Sequence, residues 1–151
     1  VWFASDLSGE DQGAQSIVVR GPQAAERLVI EYKDGAFALL SRTEVTKVIP
    51  PSVALPAAKG QVRGCWFEVQ DDGGAVLYRR RMSSPRIVYT EYPAEDGSGA
   101  IVREEAAVSS HTFSILVPRH ADIQAVAFYD SDRDDQKRTQ PASEIGRLAL
   151  R

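Results

Sequence analysis

QVRGCWFEVQDDGGAVLYRRRM, residues 61–82, is the stretch on which the fold turns. Two runs rich in Val and aromatic residues flank Asp71-Asp72-Gly73-Gly74. Asp and Gly tolerate the left-handed backbone that tight turns need, so the stretch is expected to fold as a β-hairpin. In its first arm Cys65, Phe67 and Val69 alternate with Trp66, Glu68 and Gln70. In its second, Val76, Tyr78, Arg80 and Met82 oppose Leu77, Arg79 and Arg81. Apolar residues on both faces near the turn imply a strand covered on both sides at one end.

Working backwards, Arg27–Lys33 and Ala36–Val48 surround Asp34-Gly35, the strongest short-range hairpin signal. Gln23–Arg27 is expected to make one helical turn opened by Pro22, and Ile17-Val18-Val19 a short strand within Ser16–Arg20. Ile49–Gly60 carries Pro50, Pro51 and Pro56, cannot supply a central strand, and is expected to cross the surface as a loop. Working forwards, Arg86–Tyr92, Ile101–Val108, His111–Val117 and Ile123–Tyr129 are strands, with Pro93–Gly99 a flexible loop. Glu144–Leu150 closes the series if Gly146 makes a bulge.

These elements imply an all-β chain: an antiparallel two-sheet β-sandwich of immunoglobulin-like architecture, about seven to nine strands with little helix. Phe67, Phe113, Ile115 and Phe128 are its expected core. The 151 residues are expected to form a single domain over 1–151, with residues 1–14 a mobile N-terminal segment.

A net charge of −3 provides no general basic field for nucleic acid. No apolar run reaches the ~20 residues of a membrane-spanning helix. The opening VWFASDLSGEDQ lacks the basic-then-apolar order of a signal peptide. It also lacks an initiator Met, so Val1 is expected to begin a mature product or an ordered fragment, and the compartment stays open. Cys65 is the single cysteine, which excludes an internal disulfide, and is expected to be a small buried hydrophobe.

Asp130, Asp132 and Asp134 alternate as at the start of a calcium loop, and hard cations want clustered oxygens. Asp135 stands where that loop needs Gly and Pro141 where it needs Glu. The main expectation is therefore a solvated turn with Arg133, Lys137 and Arg138 offsetting the charge; a calcium site is the alternative. Arg79, Arg80 and Arg81 alternate across a strand and are expected to be surface charges that discourage strand addition. Arg79 and Arg81, with Trp66, are the candidates for meeting a protein partner. His111 and His120 lack a zinc spacing, and no nucleophile-elbow, P-loop or dinucleotide signature occurs.

Several segments together resemble the N-terminal β-sandwich domain of the M64 (IgA-protease-like) family of secreted bacterial metallopeptidases. They are Leu28-Val29-Ile30-Glu31-Tyr32, the Pro50-Pro51 loop, Gly64-Cys65-Trp66-Phe67-Glu68-Val69, Val76-Leu77-Tyr78-Arg79-Arg80 and Thr112-Phe113-Ser114-Ile115-Leu116-Val117-Pro118. Where that family commonly has Gly-Phe after Tyr-x-Arg, this chain runs Arg80-Arg81-Met82. The resemblance implies a non-catalytic accessory module, beside a peptidase domain or a cell-surface component and located outside the cell or in the periplasm. It brings no catalytic residue and no cofactor with it. A calcium-dependent or lectin-like binding domain is the alternative function, and a hydrolase with a dispersed site the third.

Overall fold

The computed structural model describes residues 21–136 and 138–151. The expected strand at Ser16–Arg20, the 1–14 segment and Lys137 lie outside them. The described residues form nine strands in order: β1 (Pro22–Lys33), β2 (Ala36–Val48), β3 (Trp66–Gln70), β4 (Val76–Arg81), β5 (Ile87–Pro93), β6 (Ile101–Ala107), β7 (Ser110–Pro118), β8 (Ala125–Asp130) and β9 (Ser143–Ala149). One sheet has the order β2-β1-β7 and the other β4-β3-β8-β9, with β5 and β6 forming a separate two-stranded ribbon. Every pairing is antiparallel. The fold is a β-sandwich, as its alternation implies.

Both hairpin turns have the chemistry their sequences promise. Asp34 (φ 49°) and Gly35 (φ 85°) take the left-handed conformation that a two-residue turn requires. In the other, the Asp71 carboxylate accepts from the backbone N–H of Gly73 (3.0 Å) and Ala75 (2.8 Å).

The core lies between the sheets. Leu28, Ile30, Ile115 and Val117 face Phe67, Val69, Tyr78, Val126, Phe128 and Leu148. Of the four expected core residues, Phe67, Ile115 and Phe128 are buried and Phe113 is half-buried. Phe37 of β2 stacks on Phe128 of β8 at 4.1 Å between ring centres, while Phe113 meets both edge-on. The stack fits because β9 has no side chain at Gly146. A Cβ there would approach the Phe37 ring to 2.4 Å. A register shift pairs Phe128 with Gly146 and Tyr129 with Glu144, so the expected bulge is present, with Ile145 as the extra residue.

One expectation needs correction. Residues 23–27 are strand, not a helical turn. Pro22 occupies the first position of β1, where a missing donor costs little, and Ala25 is buried between partners Val45 and Pro118. The proline-rich segment crosses the surface as a loop, as expected, and is anchored against β4. Ile49 is buried, the Tyr78 hydroxyl donates to the Pro50 carbonyl at 2.6 Å, and a 3-10 turn forms at Lys59–Gln61. Ser52 and Val53 line the β4 edge. Val53 N–H donates to the Arg79 carbonyl (2.9 Å) and Arg79 N–H to the Ser52 hydroxyl (3.0 Å). The segment thus satisfies strand groups that would otherwise be left to solvent.

Candidate functional site

Three places gather chemistry-bearing side chains. The first is the face of β3 turned away from the core. Trp66, Tyr129, Ala127, Ala142 and Val62 make a small second core there, with Trp66 and Tyr129 stacked at 5.2 Å. Within it, Glu68 is fully buried and accepts four bonds. They come from Lys59 Nζ (2.9 Å), Gln70 Nε2 (3.0 Å), Trp66 Nε1 (3.1 Å) and Arg79 Nε (2.9 Å). Burial pushes the Glu68 carboxyl up, but Lys59 and Arg79 outweigh it and hold it below the usual range. Arg147 extends the network by donating to Gln70 Oε1 at 3.0 Å.

Arg79 is therefore buried beside its cross-strand partner Glu68, not a surface charge, and Trp66 has no exposed area. Of the three residues expected to meet a partner, only Arg81 is exposed. The covering by residues 49–64 makes the difference, and nothing in the alternation of β3 and β4 announces it.

The second place is the acidic loop. Asp130 is buried and accepts from the Ser84 hydroxyl (2.5 Å), Arg86 Nε (3.0 Å) and Ser131 N–H (2.9 Å). Asp132 accepts from Arg86 Nη1 at 3.0 Å. Asp134 instead accepts from Arg138 Nε at 2.6 Å and from the Gln136 and Arg138 N–H groups. Arginine thus occupies the position between Asp130 and Asp132 where a cation would sit. Among the described residues no group of three His, Cys, Asp or Glu is placed to hold a metal ion. Cys65 lies beside Asp130, and burial together with that charge pushes its thiol up. His111 stacks against Phe113, and His120 Nδ1 accepts from the Asp122 N–H.

The third place is a groove of about 370 Å³ where the sandwich opens between β4 and β7. Phe67, Tyr78, Met82, Ile115 and Leu116 supply apolar lining, and Arg27, Arg80 and Arg81 stand around it. Arg80 and Arg81 each donate to a backbone carbonyl, of Pro51 and Arg63. None of the three guanidinium groups has a carboxylate within ion-pair distance among the described residues. Beyond its pairing with β1, β7 has no neighbouring strand among the described residues, which leave its outer edge open. Comparisons with protein-family models, with curated proteins and with solved structures find no match to this chain. Geometry therefore carries the functional reading. Arg27 comes from a different hairpin, so only folding places it beside Arg80 and Arg81.

Proposed function

We propose that this chain is a non-catalytic interaction module that holds an extended polypeptide segment in the groove between β4 and β7. The carrying observation is the coincidence, among the described residues, of an apolar floor, three guanidinium groups without carboxylate partners and an open strand edge. An added strand finds main-chain partners along such an edge, while pockets select its side chains. Guanidinium groups select carboxylates beside them. Among the described residues the hydroxyls in the lining belong to Tyr78 and Ser114, with no histidine or carboxylate beside them. The Tyr78 hydroxyl is already committed to Pro50, and burial pushes its pKa up to about 12.

Under the resemblance to secreted metallopeptidases, an immunoglobulin-like module of this kind would serve a neighbouring peptidase domain outside the cell or in the periplasm. It would present the groove to substrate or to a cell-surface protein. The test is amide chemical-shift mapping with a short peptide of alternating Val and Glu. Perturbation of Arg27, Arg80 and Ser114–Leu116, weakened in an Arg80→Ala/Arg81→Ala variant, is the expected result. Shifts confined to other faces, or unchanged binding by the variant, would overturn the reading.

A further inference from the structure

The β5–β6 ribbon is a second feature without a partner. It belongs to neither sheet, and both of its edges are unpaired among the described residues. Between Ile87 and Ala107 it carries Glu91, Glu95, Asp96, Glu104 and Glu105 against Arg103, five acidic groups less one basic, a surplus of four. Large apolar side chains project from it: Ile101 is 64% exposed, Tyr89 39% and Val88 37%. An isolated two-stranded hairpin is marginal in water. Its root, however, is held firmly. Arg86 grips Asp130 and Asp132, and Arg133 pairs with Glu105 at 2.9 Å. A ribbon fixed at its base, with apolar and acidic side chains beyond it, has the features of a surface that another protein covers.

Among the described residues the groove has the complementary set: open strand edge, apolar floor and surplus positive charge. We propose that its occupant is the β5–β6 ribbon of a second copy of this chain, an inference that rests on the groove being the binding site. Seven residues per strand give the ribbon a length of roughly 23 Å, enough to run along β7. The exchange is reciprocal. Met82 lines both the groove and the space under the ribbon root, so the two surfaces adjoin on one molecule. Two copies related by a twofold axis then each give a ribbon and receive one, which closes the assembly as a dimer and prevents a filament.

The test is sedimentation of the wild-type chain and two charge-reversed variants, with each variant's thermal unfolding measured to confirm folding. One carries Arg80→Glu and Arg81→Glu. The other carries Glu91→Arg, Glu95→Arg and Glu104→Arg, which turns the ribbon's surplus from four negative charges to two positive. The wild type is expected to sediment at twice the 16.5 kDa chain mass at low salt and to dissociate as salt rises. Each variant alone is expected to associate on the order of tenfold or more weakly, because like charges then meet. Mixed, the two restore the dimer, since both of its contacts regain opposite charges. A wild-type chain that stays monomeric at about 1 mM overturns the inference, as do folded variants that associate like wild type. The Val/Glu peptide separates the failures: a monomer that binds it keeps the groove as a site for a foreign partner, and one that does not loses both readings.

Discussion

Glu68→Gln replaces one atom at the centre of the buried network and keeps its shape. The charge leaves, but Arg79 and Lys59 remain. Glu68 accepts through both oxygens, two bonds on each. Glutamine keeps one acceptor and places an amide donor against either the Lys59 and Gln70 donors or the Trp66 and Arg79 donors. Removing one partner of a buried pair costs about 3–5 kcal/mol, because the other charge stays desolvated. In a domain of this size each kcal/mol shifts the melting temperature by about 2–4 °C, so a fall of roughly 6–20 °C is expected. Urea unfolding should show a lower midpoint with an unchanged slope. Acidity supplies a second handle. The folded Glu68 carboxyl titrates below its ordinary value of 4.5, so its contribution is complete above that value. The contribution is lost as pH falls through the lowered folded value. Glutamine has no such titration, and the wild-type advantage should shrink in acid. A loss under about 1 kcal/mol, or a gap unchanged between neutrality and about pH 3, would refute the assignment of Glu68 as the network's anchor.

Gly146→Ala should cost about 1–3 kcal/mol by forcing Phe37 off Phe128, and Phe37→Leu in the same chain should recover part of it in a double-mutant cycle. Cys65 should react with a thiol reagent only as fast as the chain opens, so urea and not alkaline pH should govern the rate; rapid labelling of native protein at neutral pH would contradict its burial. Calcium calorimetry is expected to give flat heats to millimolar concentration, since Arg86 and Arg138 already satisfy the three aspartates; a saturable heat abolished by Asp132→Asn would show otherwise. Gly35→Ala should destabilise by roughly 1 kcal/mol, measured by thermal unfolding, because Gly35 sits at φ 85°.

The hairpins were legible because their signals are local. Asp34-Gly35 and Asp71–Gly74 mark the turns, and the phases of Leu28, Ile30 and Tyr32 or of Phe67 and Val69 follow from alternation alone. The bulge at β9 was legible too, since Ile145 and Leu148 fall on one face only if Gly146 breaks step. The helical turn at 23–27 failed because a proline can open a strand as well as a helix, and pairing with β7 decided between them. The burial of Arg79 could not be read from β4. It depends on residues 49–64, whose prolines say where a strand is absent but not what the chain covers instead. Glu68 carried a faint signal: a carboxylate flanked by Phe67 and Val69 in a strand apolar on both faces needs a cation, and three arginines follow the turn. The groove depends on a meeting of two sheets and left no trace in any single segment.

The socket at Gly146 also bears on how the chain matures. Phe37 belongs to a hairpin that can form early from neighbouring residues, whereas its seat is completed by β9, the farthest of the described strands along the chain. Until then Phe37, Phe113 and Phe128 have no lid, and a nascent chain carries a sticky aromatic cluster that a chaperone could recognise. Closure of the sandwich thus waits for every other described strand to be made, and is completed at a residue whose contribution is the room it leaves.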